Sequence, residues 1–290
     1  MFPDFQLHQR GSALIWISRQ YVDLTFLDML RDADQLFADP HCEIIKDQRK
    51  IKVGRLSLEI NGRPQVLFIK RYNRYSLHQR LVSPFIQSGA LRSLRGAEIL
   101  RAADIQIATP VAAVENREHL AVSKSFFITE ELSGGKTVDA YWLEELAKIT
   151  DGDAIKRRRK FLVQLGDLFG TLHGKGIYHN DLKDANILAV AERQSDSFKL
   201  FLLDLEGVKR YGKLSSDRKL KNLVQINRTL GRYLRRAEKL LFLMAYMNGT
   251  FLDKKIRHRL IQSIARESTR IDNAKAINAA KTAEVTPIRM

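Results

Sequence analysis

Acidic, basic and amide side chains cluster in one short segment between a long amphipathic stretch and an apolar one. His179, Asp181, Lys183 and Asn186 all lie within this segment, and a further acid, Asp204, ends an apolar run downstream. A positioned carboxylate can accept a proton from a hydroxyl group. Carboxylate and amide oxygens are ligands that Mg²⁺ prefers. The residue types are therefore those that can hold a divalent cation and accept a proton from a hydroxyl group.

The spacing of these residues resembles the catalytic loop of the protein-kinase-like superfamily. That loop has the pattern H-x-D-L-x-x-x-N, which is met here by His179, Asp181, Leu182 and Asn186. Asp204 looks like the metal-binding aspartate of the D-F-G motif, although the sequence there is D-L-E-G. The catalytic-loop match is specific, whereas the D-F-G match is partial.

The resemblance implies a role for each of these residues. Asp181 orients the acceptor hydroxyl and receives its proton, and Lys183 neutralises the transferring phosphate. A solvent-exposed lysine without a catalytic role is the alternative for Lys183. Asn186 and Asp204 hold Mg²⁺, with Mn²⁺ as the alternative metal. His179 supports the loop by hydrogen bonding rather than by acid–base catalysis.

Upstream residues resemble the nucleotide-binding half of a kinase. Strand alternation places Lys70, rather than its neighbour Arg71, on the relevant face, and Glu98 lies in the next helix. The resemblance implies that Lys70 holds the α- and β-phosphates of ATP and that Glu98 fixes the position of Lys70. It also implies that the backbone between Glu130 and Leu132 is the hinge that hydrogen-bonds adenine. No glycine-rich G-x-G-x-x-G flap precedes these elements.

Hydrophobic periodicity predicts the elements that position these residues. Strands are expected at 41–46, 51–60, 65–71, 111–115, 121–129, 187–190 and 199–203, and helices at 88–104, 154–174, 217–247 and 253–270. Asn61 and Gly62 suit a tight hairpin turn, because both tolerate positive φ. Asp217 is expected to cap its helix or to brace the catalytic loop.

The predicted fold class is α+β, a two-lobed protein-kinase-like fold. The N-lobe is expected to be an antiparallel sheet plus one helix, and the C-lobe to be mainly helical. The expected divisions are an N-terminal extension with mostly helical signals, a nucleotide-binding N-lobe, a catalytic C-lobe and a flexible tail: residues 1–40, 41–132, 133–270 and 271–290.

Further segments resemble one branch of this superfamily, the bacterial lipopolysaccharide core kinases that phosphorylate heptose or Kdo sugars. They are the pieces F-I-K-R-Y, R-G-A-E, I-A-T-P and S-F-F-I-T-E-E-L, at 68–72, 95–98, 107–110 and 125–132. The resemblance covers roughly residues 40–240. It implies an ATP-dependent transfer of the γ-phosphate to a sugar hydroxyl of the lipopolysaccharide inner core.

Positive charge is concentrated in the last third of the chain. The whole chain has a formal net charge of +16, and residues 208–290 hold 20 Lys and Arg against 6 Asp and Glu. This indicates an anionic partner, which the resemblance identifies as a glycolipid of the lipopolysaccharide core and an anionic membrane surface. A solvated basic surface is the alternative. Basic clusters lie at 156–160, 232–239 and 254–259, and helical spacing predicts one shared face for Arg232, Arg235, Arg236 and Lys239.

Composition excludes several other classes. With 44% hydrophobic and 28% charged residues among 290, the chain is not disordered or fibrous. The single cysteine excludes an internal disulfide and a multi-cysteine zinc cage. We find no secretory leader and no apolar run long enough to span a bilayer. The expectation is a cytoplasmic protein, peripheral at most on the inner membrane.

Two other functions fit parts of the sequence. A compact atypical serine/threonine protein kinase fits the catalytic loop, but residues 207–217 are too few for a long peptide-binding segment. A pseudokinase or nucleic-acid-binding module fits the basic region, but Lys70, Asp181, Asn186 and Asp204 are intact. The absence of an evident aromatic stacking platform also argues against RNA binding. The oligomeric state is not predicted.

Overall fold

The computed structural model describes residues 2–73, 87–118, 121–148, 152–192 and 197–285. The chain divides into two compact units. The first comprises Met1–Gly135 and Phe201–Lys209, and the second comprises Lys136–Leu200 and Arg210–Met290.

The first unit is built on an antiparallel sheet. In the described residues its seven strands are β1 Phe5–Arg10, β2 Ala13–Ser18, β3 Cys42–Asp47, β4 Ile51–Ile60, β5 Arg63–Asn73, β6 Pro110–Glu118 and β7 Ala121–Glu130. They are ordered β1-β2-β6-β7-β5-β4-β3. Asn61 and Gly62 have φ values of 53° and 71°, which confirms the predicted hairpin turn between β4 and β5.

Among the described residues, two α-helices accompany this sheet, α1 at Leu24–Arg31 and α2 at Gly89–Arg101. Helix α1 packs on the sheet through Phe26, Leu27 and Leu30, and alternate residues of β2 and β5 face the same core: Ala13, Ile15, Ile17, Leu67 and Ile69. Alternation therefore places the intervening residues of β5, including Lys70, on the opposite face of the strand.

The second unit is mainly helical. Its helices are α3 Val138–Tyr141, which continues as a π-helix at Trp142–Leu146, α4 Gly152–Gly174, α5 Ser216–Arg228, α6 Arg236–Met247 and α7 Lys254–Val285. Short strands lie between these helices: β8 Lys136–Thr137, β9 Ile177–His179 and β10 Ile187–Ala191. Two further strands, β11 Phe198–Leu202 and β12 Val208–Arg210, cross the boundaries between the two units along the chain. None of the helices in the described ranges has the length and apolar character needed to cross a bilayer.

The N-terminal residues differ from expectation. They form the β1–β2 hairpin and α1, and β2 pairs with β6 over Ala13–Ile17, so they extend the sheet of the first unit. Helix α1 belongs to this N-terminal segment, whereas residues 41–132 contain one described α-helix, α2, as predicted for the N-lobe. The sequence signal for this strand is the apolar alternation at Ala13, Ile15 and Ile17. These three side chains are fully buried in the structure.

The predicted helix 217–247 is also wrong, because it is two helices. Thr229 leaves the helical region with φ −108° and ψ −93°, and its hydroxyl donates to the Gln225 carbonyl at 3.0 Å. This side-chain bond competes with the helical ladder. Leu230–Tyr233 then form a 3₁₀ turn before α6 begins.

The C-terminal segment, predicted to be a flexible tail from residue 271, lies largely within the last helix. Helix α7 continues to Val285, and residues 286–290 lie outside the described residues. Asp272 of α7 pairs with Arg228 of α5 at 2.5 Å, and the alanine-rich sequence that follows has high helix propensity.

Candidate active site

Lys70 and Asp204 form an ion pair in the first unit. The Lys70 Nζ lies 2.5 Å from Asp204 Oδ1 and 4.9 Å from the centre of the Tyr72 ring. Burial alone would lower the pKa of Lys70, but the electrostatic influence of Tyr72 and Asp204 outweighs it and raises that pKa above its ordinary value. Lys70 is therefore a fixed positive charge. Its neighbour Arg71 instead pairs with Asp34 at 2.7 Å.

The turn that follows Asp204 is held against α2. Asp204 has a φ of 55°, in the left-handed region. A Cβ atom at Gly96 would lie 2.2 Å from the Leu205 carbonyl oxygen, so only glycine allows this approach. Arg92 of α2 pairs with Glu206 at 3.1 Å. Two contacts thus link α2 to the segment that presents Asp204.

The expected pair between Lys70 and Glu98 is not formed in this structure. The ammonium group of Lys70 pairs with the carboxylate of Asp204 instead. The half-buried carboxylate of Glu98 lies 4.0 Å from the guanidinium group of Arg101, one turn along α2. The proposed anchoring role of Glu98 therefore has no contact that supports it. The link between α2 and the lysine runs through Arg92 and the Asp204 turn instead.

The acidic side chains of the predicted hinge are held within the first unit. Glu130 accepts a hydrogen bond from the hydroxyl of Tyr21, and Glu131 pairs with Arg55 at 2.6 Å. Burial, together with Glu130, raises the pKa of Tyr21 above its ordinary value. Because both carboxylates are engaged, the backbone between Glu130 and Leu132 remains the candidate for adenine recognition. Tyr21 was not predicted to lie beside the hinge, because residues 1–40 contain no recognisable motif.

The hinge backbone is partly engaged as well. The Glu130 N–H donates to the Thr109 carbonyl and the Glu131 N–H donates to the Val66 carbonyl, each at 2.9 Å. The Leu132 carbonyl accepts from the Gly135 N–H at 3.1 Å.

The catalytic-loop residues come together in the second unit, between β9 and β10. Lys183 Nζ lies 2.7 Å from Asp181 Oδ2, and both side chains are about 40% exposed. Asn186 Nδ2 donates to the backbone carbonyl of Asp181 at 2.7 Å and to its Oδ2 at 3.2 Å. The site therefore presents an accessible carboxylate with a cation and an amide fixed beside it.

His179 is buried and supports the same loop. Its Nδ1 accepts a hydrogen bond from the Asp181 N–H at 3.2 Å, and the side chain is 1% exposed. A buried ring that accepts from the backbone is not placed to exchange protons with a substrate. This geometry agrees with the supporting role expected of His179.

The donor chemistry fits a hard cation. The Asn186 amide directs its nitrogen to Asp181, so its Oδ1 is the atom that can bind a metal. Asp204 supplies a carboxylate. Within the part of the chain that the structure describes, no group of three His, Cys, Asp or Glu side chains could hold a metal ion. Magnesium sites in proteins commonly include phosphate and water oxygens beside one or two protein ligands.

The basic region differs from the predicted single helical face. Arg232 lies in the 3₁₀ turn and Arg235 precedes α6, whereas Arg236 and Lys239 lie on α6. The backbone N–H of Arg235 is capped by Glu238 at 2.6 Å. The break after α5 therefore separates side chains that a continuous helix would have aligned.

In the basic run at 156–160, some of the positively charged side chains bind groups of the protein itself. Lys156 pairs with Asp153 at 3.2 Å, and Arg158 donates to the carbonyls of Leu146 and Ala147. The two Arg158 bonds hold the start of α4 to the end of the preceding π-helix. This run is therefore a weaker candidate for a binding surface than the region around α6.

Two comparisons relate this chain to known proteins. The sequence model of the lipopolysaccharide kinase (Kdo/WaaP) family matches residues 53–246, well over half of the chain. Among solved structures, one described as WaaP in complex with acyl carrier protein matches with a TM-score of 0.64 and 19% identity, covering 86% of this chain and 97% of that one. That likeness concerns the fold, which is the two-lobed kinase-like fold. The search of curated proteins gave no match. The chain is a kinase, and it belongs to the lipopolysaccharide kinase (Kdo/WaaP) family.

Proposed function

We propose that this kinase transfers the γ-phosphate of ATP to a sugar hydroxyl, of heptose or Kdo, in the lipopolysaccharide inner core. The observation that carries the proposal is the cluster of Asp181, Lys183 and Asn186, in which an exposed carboxylate has a cation 2.7 Å away. Family membership supports lipopolysaccharide as the acceptor.

In this proposal Asp181 accepts the proton of the sugar hydroxyl while that oxygen forms a bond to the γ-phosphorus. The bond from the γ-phosphorus to the bridging oxygen breaks, and ADP leaves with the electron pair. Lys183 neutralises charge on the transferred phosphoryl group. Asn186 holds the backbone and side chain of Asp181 in place through two hydrogen bonds.

Lys70 and Asp204 serve the nucleotide in the same proposal. The positive charge of Lys70 binds the α- and β-phosphates, and Asp204 and Asn186 would hold Mg²⁺. When bound, the metal neutralises phosphate charge. The backbone carbonyl of Glu130 and the N–H of Leu132 would recognise adenine.

A sugar acceptor is favoured over a peptide by the segment that follows Asp204. Strand β12 ends at Arg210 and α5 begins at Ser216, so five residues connect them. This is too short for a long peptide-binding segment. Atypical protein kinase activity is accordingly the second candidate.

The acceptor is tested by supplying [γ-³²P]ATP with Mg²⁺ to lipopolysaccharide lacking core phosphate, and in parallel to a generic protein. Label on the glycolipid supports the proposal. Label only on protein replaces it with the protein-kinase function. ATP binding without transfer to either would indicate a pseudokinase and overturn it.

We also propose that the region around α6 and α7 lies on an anionic membrane surface. Exposed apolar side chains alternate there with exposed arginine and lysine: Tyr233, Leu240, Leu252 and Ile256 are 42%, 42%, 83% and 47% exposed. Apolar groups that enter the interface and cations that meet lipid phosphates together favour such binding. Flotation with anionic vesicles tests this. Binding should weaken in Leu252→Ser and at high salt, and equal binding to neutral vesicles would contradict it.

An acyl carrier protein is a further proposed partner, because the solved neighbour is a complex with one. A cavity of about 440 Å³ in the second unit suits an acyl chain, since its lining is mostly apolar with Arg236 and Lys239 among the lining residues. The Ala265→Phe substitution in this lining should weaken binding of acylated carrier protein, whereas the same change at the exposed Ala237 should not. Equal binding of acylated and unacylated carrier would contradict this proposal.

A further inference from the structure

Two amide side chains of α5 hydrogen-bond to the backbone of the catalytic loop. Asn222 Nδ2 donates to the His179 carbonyl at 2.6 Å. Gln225 Nε2 donates to the Asn180 carbonyl at 3.0 Å, and Gln225 Oε1 accepts from the Leu182 N–H at 3.1 Å. These bonds hold the residues on both sides of Asp181.

The two amides are themselves fixed in orientation. Asn222 Nδ2 also lies 3.0 Å from Gln225 Oε1, so each amide restrains the other. On its far side, Asn222 Oδ1 lies 3.3 Å from His173 Nε2, and His173 Nδ1 lies 3.0 Å from the hydroxyl of Tyr246. Asn222 is fully buried.

The direction of each bond in this network can be assigned. Burial lowers the pKa of His173 to about 4, so the ring is neutral near pH 7 and has one donor and one acceptor nitrogen. Because Asn222 Nδ2 is a donor to the loop, its Oδ1 must accept, and His173 Nε2 therefore bears the proton. His173 Nδ1 then accepts from Tyr246. Every group in the chain from α6 to the loop has a partner of the correct type.

We infer that Asn222 and Gln225 are positioning residues that set the placement of Asp181 for phosphoryl transfer. The loop offers two carbonyls and one N–H to α5, so its partners must both donate and accept. An amide does both, whereas a carboxylate only accepts. Asp217, which the sequence suggested for this role, is not the brace, and Ser215 caps α5 by accepting from the Arg218 N–H at 3.4 Å. The inference rests on the proposed catalytic role of Asp181.

The test compares variants of α5 in the full-length protein. Gln225→Met keeps the length of the side chain but removes both bonds to the loop, and Asn222→Leu removes the bond to His179. Asn227→Leu is the matched control, because Asn227 lies on the same helix but donates to Ser268 at 3.0 Å, away from the loop. Gln225→Met is the primary variant, since Gln225 is only partly buried. Thermal unfolding identifies the folded variants.

For each folded variant, kcat for the glycolipid acceptor and KM for ATP are measured beside wild type and Asp181→Asn. We expect kcat of Gln225→Met to fall on the order of tenfold to a hundredfold, because displacement of a catalytic group by about 1 Å costs this much. KM for ATP should stay within about twofold, and Asn227→Leu should match wild type. An unchanged kcat for Gln225→Met beside an inactive Asp181→Asn would overturn the inference alone. An active Asp181→Asn would instead overturn the proposed function on which it rests.

Discussion

Replacing Gly96 by alanine should uncouple α2 from the turn that presents Asp204. The new Cβ atom would lie 2.2 Å from the Leu205 carbonyl oxygen and 3.1 Å from the carbonyl carbon, whereas unstrained contacts between carbon atoms lie near 3.5–4.0 Å. Because the obstructing atoms are backbone, α2 or the turn must shift by about 1 Å. Overpacking of this kind costs about 1–3 kcal/mol, and the helix propensity of alanine offsets about 1 kcal/mol of it.

The expected net result for Gly96→Ala is a free energy of unfolding lower by up to about 2 kcal/mol, measured by urea denaturation. Because Asp204 moves with the turn, kcat should fall on the order of a hundredfold. Gly152→Ala is the control, since nothing lies within 4 Å of its added Cβ, and its activity should be unchanged. If Gly96→Ala were as stable and as active as Gly152→Ala, the coupling between α2 and Asp204 would be refuted.

Three other changes test separate parts of the account. Lys70→Met should weaken ATP binding about tenfold or more, as expected for loss of a charged hydrogen bond. Calorimetric titration measures this loss. The control Arg71→Met, which removes the neighbouring ion pair instead, should bind ATP like wild type. Tyr21→Phe removes the hydroxyl that donates to Glu130 and should lower the free energy of unfolding by about 1 kcal/mol; urea midpoints equal to wild type would contradict this. Burial lowers the pKa of His173 from 6.5 to about 4, so between these pH values the unfolded chain binds a proton that the folded chain does not. The contribution of His173 to the free energy of unfolding should therefore fall as the pH drops from about 6.5 to about 4 and stay constant above pH 6.5. A His173→Gln variant with the same pH dependence would show that another group is responsible.

Local sequence signals predicted the elements that carry the chemistry. The catalytic loop could be predicted because His179, Asp181 and Asn186 lie within one short, continuous segment. Strand β4 matches its predicted bounds at Ile51–Ile60, because alternation and the Asn61 turn signal agree along the whole hairpin.

Contacts between distant segments were not predictable in the same way. Lys70 pairs with Asp204 rather than Glu98 because of how the turn packs on α2, and no spacing rule reports that packing. Tyr21 meets Glu130 only because the N-terminal hairpin joins the sheet. In each case the partner lies far along the chain, so sequence pattern shows the residue type but not its neighbour.

The roles of polar helix residues were the hardest to predict. Asn222 and Gln225 look like ordinary members of a charged helix, and their spacing fits many surface helices. Their function as a brace depends on which face of α5 meets the catalytic loop. Asp217, which lies five residues before Asn222 on the same helix, could not be distinguished from them by sequence alone.

The central claim is tested most directly by the transfer of labelled γ-phosphate from Mg-ATP to core glycolipid lacking phosphate, with wild type and Asp181→Asn run side by side. The account predicts label on the glycolipid with wild type and loss of nearly all of it with Asp181→Asn, while binding of ATP is retained. Equal labelling by the two proteins, or no labelling of glycolipid by a wild-type protein that binds ATP, would contradict it.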